Sequence, residues 1–313
     1  MRFDHPFQHG PESIAQLEAQ LQTPDLKPNQ VLALATELVG HGHKDAEQAL
    51  DAMKATFTSP AALAYGEELK NVWTTIRKYY RQEDMDLALR QKLYQRNGHI
   101  LAKCAGNERV LIVIFTTMYN NFWMSNAALI HMLGSIVGHI LILKDSTRCN
   151  YFRGVEGFAD GFPQIAAGIL SAARQLGADK LYVSGFSSGG YAAMLTSLLL
   201  PSCSGYLGFS HMVDKSANSH LPQSIHQSED LKASFDQTWC RDLKDLLKDA
   251  DWRIPRTLVY GGISEADTAH ARHLDGLNTI RTVCVPAAEH NTVLKLLASD
   301  EIYHAFKSLV QAA

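Results

Sequence analysis

Apolar side chains recur three and four positions apart along the first third of the chain, over 12–22, 29–38, 45–57, 61–80 and 85–95, with Pro, Gly and Ser at the breaks. That spacing lines one face of an α-helix, and nothing there alternates with the period of two that a half-buried strand requires. From about His99 the texture changes. Short runs rich in β-branched residues, at 100–104, 110–115, 139–143, 180–184, 205–209, 257–260 and 282–285, alternate with helical patterns at 126–133, 162–176, 190–200, 266–274 and 292–310. Strands separated by helices build parallel β-α-β units, so a mostly parallel, doubly wound sheet is predicted, preceded by an all-helical region. The switch divides the chain into a helical part, 1–97, suited to capping, docking or dimerisation, and a sheet domain, 98–313. One segment breaks the rhythm: 211–255 is a long insertion, polar over 216–229 and amphipathic over 231–247, which reads as a lid or a surface excursion.

In such a sheet the connections leave the carboxyl ends of the strands, and chemistry is sought just after each of them. After the run at 180–184 stands Gly185-Phe186-Ser187-Ser188-Gly189, a complete G-x-S-x-G followed at once by a helical pattern. A tight strand-to-helix turn exposes the hydroxyl of Ser187, and glycines two positions either side keep neighbouring backbone clear. Gly208-Phe209-Ser210 and Gly262-Ile263-Ser264 lack the closing glycine. A dinucleotide loop is excluded because Ser187 occupies the central glycine position of G-x-G-x-x-G, and no G-K-[ST] is present.

A serine hydroxyl needs an imidazole to take its proton, and the imidazole needs a carboxylate to fix its tautomer. Of 14 histidines, His290 fits best, following the last strand by a short loop and preceding the C-terminal helical pattern. His270, His273 and His304 lie within helical patterns and read as structural. Glu265 and Asp267 both follow the run at 257–260; Asp267 is preferred, although it also suits a helix N-cap, and Asp214 ranks third. The backbone N–H of Ser188, with that of Thr116 or Thr117, would bind an oxyanion. Tyr119, Phe122 and Tyr151, with Trp123 and Phe152, are candidates to line a substrate pocket, although aromatic residues at strand ends also serve as core.

Composition narrows the partners. The formal charge of -3, without a basic run, argues against nucleic acid. The longest apolar run, 110–115, is far too short to span a membrane, the N-terminal segment does not read as a signal peptide, and five scattered cysteines form no C-x-x-C pair. A cytoplasmic protein with reduced thiols is expected. His41 and His43 flank Gly42 in a turn between helices and read as solvated rather than as a metal pair.

On Phe115, the Asp145…Tyr151…Gly154 stretch, the Gly185–Gly190 turn, the stretch at 267–271 and His290, the region from His99 onward resembles the α/β-hydrolase superfamily, in particular its esterase-like bacterial members. The resemblance implies a mostly parallel sheet and a Ser-Asp-His triad, and the favoured reading is hydrolysis of a small-molecule ester or thioester that needs no metal or organic cofactor. Acyl transfer or peptide cleavage would use the same residues. The rival reading is a catalytically inactive scaffold, with the N-terminal helices docking a protein partner or a second copy.

Overall fold

The computed structural model describes residues 19–20, 26–80, 93, 98–222 and 236–311. The helical patterns at 12–22 and 85–95 lie almost wholly outside the described residues, as does 223–235 of the insertion. The chain falls into two compact units, one helical and one built on a sheet.

In the helical unit, α1 (Pro28–Gly40), α2 (Ala46–Thr56) and α3 (Pro60–Tyr79) join α4 (Asn126–Leu133) and residues 294–304. Val31, Leu34, Leu38, Leu50, Met53, Leu69, Val72 and Ile76 bury the stripes that the spacing predicts. Ser59 caps α3 by accepting the Ala62 N–H. Gly42 turns the chain at φ +59°, with Trp73 Nε1 donating to the His43 carbonyl and Arg77 to that of Gly42. His41 and His43 are therefore buried, not solvated as expected: the turn is folded under α3.

The sheet unit has seven strands: β1 (His99–Lys103), β2 (Asn107–Phe115), β3 (Val137–Leu143), β4 (Lys180–Phe186), β5 (Cys203–Phe209), β6 (Arg256–Gly261) and β7 (Arg281–Val285). Their order is β1-β3-β2-β4-β5-β6-β7, with β1 antiparallel to β3 and every other pair parallel. Each strand covers a run that the pattern marks, except that β1 ends at Lys103, one residue short of the run at 100–104. β3 is buried along its whole length and β2 from Val110 onward, as strands covered on both faces must be. Leu111, Val113, Leu141, Leu143 and Val183 meet Ile165 and Ile169 of α5 (Phe162–Leu176), each contributing about 1.5–3 kcal/mol by leaving water.

The remaining helices are α6 (Ser188–Leu199), α7 (Leu243–Lys248), α8 (Glu265–His273), α9 (Thr292–Ala298) and α10 (Glu301–Gln311). Two expectations need correction. The single helix expected over 292–310 breaks at Asp300, whose φ of +61° is a left-handed conformation that a short polar side chain tolerates. In the insertion, the described part of 231–247 is not one amphipathic helix. A 3-10 turn (Gln237–Trp239) and a bridge pairing Asp214 with Asp242 precede α7, and the Asp242 carboxylate caps that helix. No helix of the described residues is long and apolar enough to cross a membrane.

Candidate active site

β4 ends at Phe186 and α6 starts at Ser188, so the whole turn is made by Ser187, at φ 54° and ψ −118°. A non-glycine residue held there costs about 1–3 kcal/mol, which the surroundings must offset. The Ser187 N–H donates to the Phe209 carbonyl at 3.0 Å, tying the turn to β5. The glycines answer to contacts on three sides. A Cβ at Gly185 would run into Ala193 and the Gly189 carbonyl, one at Gly189 into the carbonyls of Phe115 and Thr116, and one at Gly190 into the ring of His211.

His290 lies on the loop after β7, its side chain 46% exposed. Its Nε2 is 2.8 Å from Ser187 Oγ, and its Nδ1 is 2.9 Å and 3.2 Å from the two oxygens of Asp267. With the proton on Nδ1, that N–H donates to the carboxylate and the serine hydroxyl donates to Nε2. Asp267 is buried at the third position of α8, and its own N–H donates to Ser264 Oγ at 3.2 Å. Ser264, not Asp267, is thus the N-cap, which leaves both oxygens of Asp267 to face the imidazole. Glu265 sits exposed on the first turn of the same helix. Asp214 accepts the Ser216 N–H at 2.8 Å, on the insertion.

The loops carrying acid and base are laced together. Gly262 N–H donates to Val285 O and Ile263 N–H to Ala288 O, both at 3.0 Å, and a Cβ at Gly261 would collide with the Glu289 carbonyl. Phe186 stacks on the imidazole with ring centroids 6.0 Å apart.

Two further histidines hold the surroundings. His211 Nδ1 donates to the Met212 carbonyl and its Nε2 accepts the Tyr206 hydroxyl at 2.6 Å; complete burial lowers its pKa to about 4. His270, one turn beyond Asp267, accepts the Val213 N–H on Nδ1 and donates from Nε2 to the Pro222 carbonyl, and burial lowers its pKa as well. His273 pairs with Asp242 at 2.7 Å. With Asp214 these two form a group of metal-ligand type among the described residues, in which the imidazole is already hydrogen-bonded to the Asp242 carboxylate.

The Ser188 N–H stands at the first position of α6, where the amides of a helix start point outward and favour negative charge. Thr116 is not available as its partner. Its N–H and its hydroxyl both donate to the Leu143 carbonyl, at 3.2 and 3.0 Å, because it continues the β2-β3 ladder by one residue. Thr117 leaves the ladder and remains. Tyr151 does not line a pocket either. It is fully buried, with its hydroxyl 2.7 Å from the Leu143 carbonyl and 3.0 Å from that of Thr116, and it packs edge-on against Phe115. Phe122 and Trp123 are buried in the helical unit. Tyr119, partly exposed after β2, donates its N–H to Thr117 Oγ. Phe152 helps to line a cavity of about 470 Å³ with Arg153, Gln164 and Trp239.

No family model and no curated protein matches the chain. Solved structures similar to it include MenH from S. aureus (14% identity, TM-score 0.49, covering 68% of this chain and 98% of that one). A monoacylglycerol lipase from Paleococcus ferrophilus is 16% identical, with TM-score 0.46 and 69% and 99% of the two chains covered. A lipase-esterase related protein from Clostridium acetobutylicum is 13% identical, with TM-score 0.45 and 69% and 100% covered. Likeness at these values carries no argument about this chain. The α/β-hydrolase fold of this chain rests on its own strand order, with the strained serine turn after a central parallel strand and an antiparallel strand at the edge.

Proposed function

We propose that this protein is a serine hydrolase that cleaves a carboxylic ester or thioester through an acyl-serine intermediate. Ser187 is the nucleophile, His290 the general base, and Asp267 the acid that orients it. The observation that carries the reading is the continuous line of hydrogen bonds from Ser187 Oγ through the imidazole to the Asp267 carboxylate.

The chemistry follows from that line. As Ser187 Oγ attacks the acyl carbon, its proton passes to Nε2, and the imidazolium that forms is stabilised by the buried carboxylate on Nδ1. The carbonyl oxygen takes up negative charge, met by the N–H groups of Ser188 and Thr117 at the start of α6 and the end of β2. Collapse of the adduct expels the alcohol or thiol, which receives the proton from Nε2. Water then enters, loses a proton to the same nitrogen, attacks the acyl carbon and frees Ser187. Holding these donors in place before the reaction removes the reorganisation that solvent would need. One such donor is worth roughly 10²–10³ in rate.

Labelling with a fluorophosphonate tests the proposal. The adduct is expected on Ser187, and Ser187→Ala is expected to abolish it. Labelling elsewhere, or none at all, overturns the reading.

A further inference from the structure

We infer that Asn150 is a substrate-recognition residue, whose carboxamide takes a group on the substrate able both to donate and to accept a hydrogen bond, such as a hydroxyl. The inference rests on the serine-hydrolase reading above.

Asn150 belongs to the loop that leaves the carboxyl end of β3, on the same rim of the sheet as Ser187. It is 1% exposed, and both polar atoms of its side chain, Oδ1 and Nδ2, are enclosed without a hydrogen-bond partner among the described residues. No other side chain described has both members of a carboxamide in that state. Buried polar groups in folded proteins are almost always paired, because each one left open forfeits the hydration it had in the unfolded chain. A carboxamide kept for structure alone would spend its bonds on the protein. This one does not.

The backbone repeats the message. Arg148, Asn150 and Tyr151 all have positive φ, of 56°, 53° and 66°. Left-handed conformations are uncommon for a residue such as tyrosine, and they persist where surrounding bonds impose them. Those bonds are visible. One oxygen of the Asp145 carboxylate accepts the Tyr151 N–H at 2.9 Å, and the other accepts the N–H and hydroxyl of Thr147. The Gly154 N–H closes on the Tyr151 carbonyl at 2.9 Å. Asn150 is pinned from both sides, so its open carboxamide is held in one place rather than sampling many.

That place is coupled to the reactive turn through one carbonyl. Thr116 O receives the Tyr151 hydroxyl, and the same oxygen closes against Gly189, two residues after Ser187. Strain and an unpaired polar group on the rim that carries the nucleophile are what a recognition site stores before its ligand arrives. A carboxamide offers two donors and an acceptor side by side, complementary to a hydroxyl and unsatisfied by a methyl group.

The test compares two p-nitrophenyl esters of matching shape, the 3-hydroxybutyrate and the 3-methylbutyrate, with the purified full-length chain. The wild type is expected to favour the hydroxy ester by about tenfold or more in kcat/KM, and Asn150→Gly, which suits the positive φ, to bring the ratio within about twofold of unity. The methyl ester's kcat and the melting temperature should hold. Should the glycine variant fail to fold, Asn150→Ala removes both donors and the acceptor of the carboxamide, and the same collapse of the ratio is expected. A ratio unchanged by substitution, or a melting temperature that falls together with both rates, overturns the inference. If the wild type cleaves neither ester and takes no fluorophosphonate label on Ser187, the hydrolase reading itself has failed. Labelling with an unchanged ratio defeats the role of Asn150 alone.

Discussion

The Nε2 of His290 stands 2.8 Å from the Oγ of Ser187, although 103 positions separate the two residues in the chain. β4 and β7 are not neighbours in the sheet, and what closes the gap is the loop after β7, laced to the end of β6 and reaching back over Phe186.

If Asp267 orients the base, Asp267→Asn leaves the ring with a partner of the wrong kind and lowers kcat by roughly 10³-fold or more. Glu265→Gln, two positions before it and exposed, should change kcat by less than about twofold. Steady-state kinetics on an activated ester separates the two, and the reverse order would transfer the role to Glu265.

Gly261→Ala forces a Cβ into the Glu289 carbonyl, so the loop that carries His290 must move. The expected cost is about 1–3 kcal/mol in denaturant unfolding, with a larger proportional loss in kcat than in stability. Unchanged turnover would show that the loop contact does not position the base.

His211 sets a pH dependence of stability. Burial lowers its pKa from 6.5 to about 4 in the folded chain, so between those values the unfolded chain binds the proton and the folded one does not. Stability from this group is fully present above about pH 6.5 and is lost as pH falls to about 4, by roughly 3 kcal/mol in all. His270, shifted in the same direction, adds to the loss. Urea midpoints at pH 7 and 4.5 should therefore fall further in the wild type than in His211→Gln; equal falls would contradict the assignment.

Tyr151→Phe removes the hydroxyl that bonds the ends of β2 and β3 but keeps the ring against Phe115. A loss of about 1–2 kcal/mol in stability is expected, with KM within about twofold of the wild type. A raised KM at full stability would restore Tyr151 to the substrate pocket.

The sequence pattern exposes some of this and hides the rest for identifiable reasons. β2 is legible because a strand buried on both faces must be apolar at every position from Val110 to Phe115. Ser187, Asp267 and His290 are legible because only loops after strands can hold them, and few residues of the right kind stand there. Ser264 had a signal in the spacing Ser264-Glu265-Ala266-Asp267, a serine three positions before an acid, which marks a helix start. Thr116 and Tyr151 had none. Their partners are backbone carbonyls, and every residue supplies one, so no residue type announces the contact. Asn150 is hidden for a related cause: its importance lies in bonds that its neighbours do not make.

The central claim is tested most directly by the mass of the protein during turnover. Quenching the reaction with a p-nitrophenyl ester in the pre-steady state and mapping the adduct should give one acyl group, on the peptide that contains Ser187. Ser187→Ala should show neither adduct nor turnover. Full turnover by that variant, or an acyl group on any other residue, would contradict the account.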